Sequence, residues 1–215
     1  MRTRLVLLGV LAFLVISAAA LAVVDDFPFT LSNGKTLMAL PGVPLEPAPT
    51  SVFGSITIDQ RLTRWNADSQ GWITYSQFSP SQFGNLLIGE GYWMKTTTSG
   101  LGINYQGLTD TDTMDIWISL PKVGYNLIGN PFSVNYPWVN AKVTDGNETI
   151  SITEARSRLW LKSKMDYWDG DLQSWRSVGI SIDFPTTQQL LPWHGYYLKT
   201  LAGHDRLALI LESPL

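Results

Sequence analysis

Two tryptophan pairs with the same spacing constrain this chain more than any other feature. Trp65 and Trp72 stand seven residues apart, and so do Trp168 and Trp175. Gly91-Tyr92-Trp93-Met94-Lys95-Thr96 follows the first pair, and Gly195-Tyr196-Tyr197-Leu198-Lys199-Thr200 follows the second at a separation one residue longer. Upstream, Leu40-Pro41 is matched on this reading with Leu120-Pro121. Order and spacing repeated together predict a duplicated unit, so the fold must be buildable twice along the chain. The second unit carries an insert, roughly residues 134–156, between its Leu-Pro and its tryptophan pair.

The segments between these features read as strands. Arg61–Trp65 and Trp72–Tyr75 alternate around a polar turn at Asn66–Gly71, and Met165–Trp168 and Leu172–Trp175 alternate around Asp169-Gly170-Asp171. Period-two patterning closed by turn residues predicts two hairpins. In the insert, Trp138–Val143 alternates, Thr144-Asp145-Gly146-Asn147 signals a turn, and Ser151 with Glu154 three residues on predicts one capped helical turn. Leu207–Leu211 is continuously apolar, as a buried strand would be. The predicted fold class is all-β with little helix: two tandem, related β-sandwich or partly closed barrel modules, with either one shared core or two. The expected organisation is a leader at 1–22, an N-terminal arm at 23–35, a first module at 36–109 and a second at 110–215. On this reading the arm, with Phe27-Pro28-Phe29-Thr30-Leu31, has no counterpart in the second unit, and it is expected to pair with a neighbouring subunit through a β-edge.

Arg2 and Arg4 precede an apolar run from Leu5 to Val24, and Ala20-Leu21-Ala22 fits a small-residue cleavage site. This predicts a secretory signal peptide with the mature chain starting near Val23. The alternative is a retained anchor, since the run is long enough to span a bilayer and the arginines would hold its start inside. Either outcome places the folded part outside the cytoplasm, secreted or on the cell surface, and membrane contact is expected only through an uncleaved leader. Cysteine is absent, which excludes disulfides, thiolate catalysis and cysteine metal sites. The core must then come largely from nine Trp, eight Tyr and eight Phe. Losing two arginines with the leader takes the net charge from −3 to −5. With no basic run, nucleic acid is not an expected partner.

Little in the chain points to chemistry. The histidines are His194 and His204, and no G-x-S-x-G elbow is present, so nucleophilic catalysis is not expected. None of Glu46, Glu90, Glu148, Glu154 and Glu212 recurs in both units, which argues for surface carboxylates rather than a glycosidase pair. Asp166, Asp169 and Asp171, and likewise Asp110, Asp112 and Asp115, lack calcium-loop spacing and read as a turn and a linker. Asn147-Glu148-Thr149 is a formal glycosylation sequon on a predicted turn. No catalytic residue, metal or cofactor is predicted. Aromatics that recur in both units are expected to pack across strands. Those confined to one unit, Tyr136, Trp138, Trp160 and Trp193, are the candidate ligand-stacking residues.

Longer motifs frame the second unit: Gly124-Tyr125-Asn126-Leu127-Ile128-Gly129-Asn130-Pro131-Phe132 opens it and Leu191-Pro192-Trp193-His194-Gly195-Tyr196-Tyr197 closes it. The first unit closes with Gly89-Glu90-Gly91-Tyr92-Trp93, but Pro41-Gly42-Val43-Pro44-Leu45-Glu46-Pro47 stands in place of the opening. These motifs resemble a tandem aromatic β-repeat of secreted and surface-exposed bacterial proteins. That family's pattern is a Gly-Trp-Asn-Leu-Ile-Gly-x-Pro opening, an aromatic hairpin and a Pro-Gly-x-Gly-Tyr-Trp close. The resemblance covers most of the chain after the leader. It implies an extracellular accessory or structural module and assigns no catalytic residue or ligand. The expected function is therefore an extracellular structural or interaction protein without catalytic activity: a surface, matrix or filament component, or a docking module. Its partners would be other extracellular proteins or copies of itself. The alternative is a carbohydrate-binding module that recognises polysaccharide.

Overall fold

The computed structural model describes residues 23–162, 164–179, 188–201, 203 and 206–215. The leader and His204 lie outside them. The first half contributes β1 (Val24–Leu31), β2 (Gly34–Ala39), β3 (Val43–Pro44), β4 (Leu62–Asn66), β5 (Gly71–Thr74), β6 (Gly91–Thr96) and β7 (Leu101–Leu108). The second contributes β8 (Ile116–Leu120), β9 (Gly124–Gly129), β10 (Tyr136–Pro137), β11 (Lys142–Thr144), β12 (Thr149–Ser151), β13 (Lys164–Asp169), β14 (Ser174–Gly179), β15 (Gln189–Leu190), β16 (Gly195–Thr200) and β17 (Leu207–Leu211). Helix is confined to short pieces such as α1 (Pro49–Phe53), α2 (Pro80–Phe83) and α3 (Ile152–Ser157). The protein is all-β, and its sheets are open and antiparallel among the described residues.

The two halves follow one pairing scheme. Four-stranded sheets run in the orders β2-β6-β4-β5 and β9-β16-β13-β14. Beside them, β1 pairs with β7 as β8 pairs with β17, and β3 pairs with β7 as β11 pairs with β17. Both predicted hairpins form, with Trp65 directly opposite Trp72 and Trp168 directly opposite Trp175. The Ser151 hydroxyl accepts from the Glu154 N–H at 3.2 Å and caps α3. The strand expected at 138–143 is shorter: Trp138–Asn140 forms a 3-10 turn, and only Lys142–Thr144 pairs.

Two upstream expectations are corrected. The N-terminal arm has a counterpart in the second half, β8, and is built into the fold at the edge of its sheet. Residues 24–31 pair along their whole length with Leu101–Leu108, and Phe27 and Leu31 enter the core. Nor does Leu40-Pro41 match Leu120-Pro121. The partners Ala39↔Gly91 and Gly129↔Gly195 set Leu40-Pro41 level with Asn130-Pro131. The first half therefore has an opening strand after all, in Gly34-Lys35-Thr36-Leu37-Met38-Ala39. Leu120-Pro121 ends β8, where the first half has Leu31-Ser32.

There are two cores rather than one. The first gathers residues from Phe27 to Tyr105, and the second residues from Ile116 to Leu211. Hydrophobic residues cross between them: Trp193 packs on the first core and Ile88 on the second.

An aromatic cleft at the junction of the halves

Alternation decides which aromatic rings leave the core. On β6, Tyr92 and Met94 are buried and Trp93 points to the other face. On β16, Tyr196 and Leu198 are buried and Tyr197 points outward. The hairpin tryptophans share strand parity with polar residues, Trp65 with Thr63, Trp72 with Thr74, and Trp175 with Ser177. The outer faces of the two four-stranded sheets therefore carry one continuous aromatic band. Trp65 meets Trp72 edge-on at 4.9 Å, Trp168 meets Trp175 at 5.4 Å, and Trp175 meets Tyr197 at 5.6 Å. At the centre the Trp93 indole N–H donates to the Tyr197 hydroxyl at 2.7 Å. Burial of that phenol raises its pKa, so it stays protonated at neutral pH.

Each hairpin also grips the first strand of the opposite sheet. The Gln173 side chain accepts from the Lys35 N–H at 3.0 Å and donates to the Lys35 carbonyl at 2.9 Å. Gln70 repeats this on Tyr125, at 3.0 and 3.1 Å. The indole N–H groups add to the grip: Trp168 donates to Lys35 O at 2.9 Å, and Trp65 to Tyr125 O at 2.7 Å. Both glutamines sit in the left-handed region, at φ 49° and 46°, which turns their side chains back over the hairpin end. The strands they grip begin at Gly34 and Gly124. A Cβ on either glycine would lie 2.3 or 2.2 Å from the clamping oxygen. Further along, the Gly129 N–H donates to Gly89 O at 2.9 Å and the Ala39 N–H to Trp193 O at 3.1 Å. The halves are thus interlocked twice by the same contacts.

The interlock leaves a cleft of about 510 Å³, lined by Trp65, Tyr125, Lys164, Asp166, Trp175, Ser177 and Tyr197. Trp175 is 54% exposed and Tyr125 43%, so these rings reach the solvent. The floor is polar: Asp166 accepts from the Ser177 hydroxyl at 2.7 Å and pairs with Lys164 at 3.3 Å. At matching positions the first half has Thr63 and Thr74 for Asp166 and Ser177, and Lys35 for Tyr125. The cleft's character is specific to one side.

The sequence-predicted candidates lie elsewhere. Tyr136, Trp138 and Trp160 are 1%, 2% and 4% exposed. They are core residues of the second half, correcting the expectation that they contact ligand. Tyr136 and Trp138 are unique to one unit because the insert builds extra core there, not a surface. Burial pushes the Tyr136 phenol up to about 12. Trp193 is half-buried, stacked on Phe29 at 4.8 Å and edge-on to Tyr105 at 5.7 Å. The recurring Trp175, assigned to packing from its repetition, supplies an exposed face instead, beside Tyr125. Shared parity with charged and hydroxylated neighbours is the signal that could have singled it out. His194 holds the Pro192 carbonyl through Nδ1 at 2.9 Å and meets Tyr167 edge-on. Asp169 accepts from the N–H groups of Asp171 and Leu172 and closes its turn. Among the described residues, no group of three or more acidic or histidine side chains is placed to hold a metal ion, and no helix is long and apolar enough to cross a membrane. No family model matches the chain, and no match emerges among curated proteins or solved structures.

Proposed function

We propose that this chain is an exported, non-catalytic carbohydrate-binding protein, built from two copies of one β-unit, and that polysaccharide lies in the cleft between Tyr125 and Trp175. One observation carries the reading: exposed aromatic faces border a polar floor of Lys164, Asp166 and Ser177 in a cleft of about 510 Å³. That size falls within the range of small-molecule sites, in which apolar walls and a few placed polar groups fix a ligand. A pyranose ring has the matching surfaces. Its C–H face covers an indole or phenol ring, while its rim of hydroxyls exchanges hydrogen bonds with a carboxylate, an ammonium and a hydroxyl. The apolar leader and the resemblance to secreted aromatic repeats support a place outside the cytoplasm. A filament or matrix role through the N-terminal arm would use the outer edge of β1, since its inner edge is paired with β7 within the chain.

Affinity electrophoresis tests the proposal. The chain from Val23 onward should be retarded in native gels containing at least one soluble neutral polysaccharide, and Trp175→Ala should migrate there as it does in a blank gel. Absence of retardation across neutral polysaccharides, or equal retardation of the variant, would overturn it.

A further inference from the structure

The shared pairing scheme makes one junction between the halves a reference for the other. Leu31↔Leu101 and Leu120↔Leu207 align β1 with β8, so Phe29 corresponds to Ile118. Gly89 and Trp193 each stand two residues before a closing glycine, and both have positive φ, 76° and 66°. At one junction Trp193 and Phe29 stack and fill the space. At the other the same two positions hold a glycine and an isoleucine. A cleft of about 430 Å³ opens there, with Arg64, Trp65, Glu90, Trp117, Ser119 and Asn126 on its walls.

The polar groups of this cleft are incompletely matched. Among the described residues, Arg64 Nε is buried with no hydrogen-bond partner, and the guanidinium pairs with Glu90 at 3.9 Å. That exceeds hydrogen-bond distance. Glu90 itself accepts from the Tyr92 hydroxyl at 3.0 Å. Asn126 is 2% exposed, and its Oδ1 also lacks a partner. Tyr167 and Thr36 stand at the matching places of the other junction. A planar guanidinium fork with free donors suits a carboxylate, which it can hold through two parallel bonds. Asn126 Oδ1 can accept from a hydroxyl. Trp117, 62% exposed, offers a ring face at the mouth.

We infer that this cleft is a second binding site, selective for a carboxylate-bearing sugar residue such as a uronic acid. The sugar's carboxylate sits on Arg64, a ring hydroxyl donates to Asn126 Oδ1, and a ring face lies against Trp117. The choice of a sugar rests on the reading of the aromatic cleft. The selectivity for carboxylate rests on Arg64 alone.

Indole N–H resonances of the intact mature chain test both sites separately, with glucuronate, glucose and acetate as probes. Glucuronate should shift the Trp117 signal saturably, with glucose and acetate each weaker by about tenfold or more. Arg64→Tyr, which installs the residue of the other junction, should remove the response. Arg64→Lys, which keeps the charge and loses the fork, should weaken it by about tenfold. Trp175→Ala should leave the Trp117 response intact. Equal responses to glucose and glucuronate would overturn the carboxylate assignment, equal responses to acetate and glucuronate the sugar assignment, and an unchanged Arg64→Tyr response the site itself. Failure of ligands at Trp175 with a persisting Trp117 response would count against the aromatic cleft only.

Discussion

Gln70 and Gln173 show how single residues fix the relation between the halves. Each occupies a left-handed backbone position and closes two hydrogen bonds onto one residue across the junction. Either Gln→Ala change should cost about 1–2 kcal/mol, because backbone groups lose matched partners. Gly34→Ala should cost about 1–3 kcal/mol, since its φ of 101° strains an L side chain and its Cβ would meet Gln173 at 2.3 Å. Urea midpoints check these values, and a double-mutant cycle of Gly34→Ala with Gln173→Ala should recover the steric part. Additive costs would show that the glycine is not there to admit the clamp. Glu90 sets a pH dependence. Burial, the largest cause, raises its pKa from the usual 4.5, against the lowering effects of Tyr92 and Arg64. The folded chain thus holds this proton more tightly than the unfolded one. The contribution is fully present below 4.5 and fades as pH rises through the folded value. Glu90→Gln should flatten the fall in stability between acid and neutral pH, and an unchanged slope from urea unfolding across that range would contradict the assignment. Residue parity was legible before the fold. The pattern puts Trp65, Trp72 and Trp175 on the same strand face as threonines and a serine, yet their recurrence argued for packing and hid the exposed face.

At the scale of elements, the sequence revealed the hairpins and concealed the strands between the halves. The tryptophan hairpins and the capped α3 carry local signals, a period of two with turn residues and a Ser-x-x-Glu box. β2 and β9 carry none, because each is buried on both faces toward its end, with four consecutive buried residues. A strand covered on both sides reads as a continuous apolar run rather than an alternating one. The match therefore fell on Leu40-Pro41 and Leu120-Pro121, a chance likeness between the end of β2 and the end of β8. Paired with β7 as β8 is with β17, β1 alternates between exposed and buried residues. Its place in the core predicts that a chain starting at Gly34 loses cooperative thermal unfolding, and that Phe27→Ala in the full chain costs about 3–5 kcal/mol. Near-ultraviolet circular dichroism through a thermal scan decides this. A truncated chain that still melts sharply would mean that β1 is dispensable.

The whole molecule is two cores held by a junction whose contacts occur twice. Neither half completes its own edge: the end of β2 donates from Ala39 N–H to Trp193 O of the other half, and the end of β9 from Gly129 N–H to Gly89 O. Residues 23–109 and 110–215, produced separately, should remain unfolded alone and form a one-to-one complex when mixed. Size-exclusion chromatography with light scattering checks this, and two separately folded monomers that ignore each other would contradict it. The shared pairing scheme also locates where specificity can arise. Matching positions carry Tyr125 against Lys35, Asp166 against Thr63 and Gly89 against Trp193, and each difference opens or furnishes one cleft on one side. The all-β class was legible in the sequence; which face of the aromatic strands met solvent was not, because it depends on how the two sheets approach. The most direct measurement is a tryptophan fluorescence titration of the chain from Val23 onward with soluble neutral oligosaccharides, repeated on Trp175→Ala at matched unfolding midpoint. A saturable shift in the parent chain, weakened about thirtyfold by a loss of roughly 2 kcal/mol in the variant, is the expected result. No shift with any oligosaccharide, or the same affinity in both proteins, would contradict binding in the aromatic cleft.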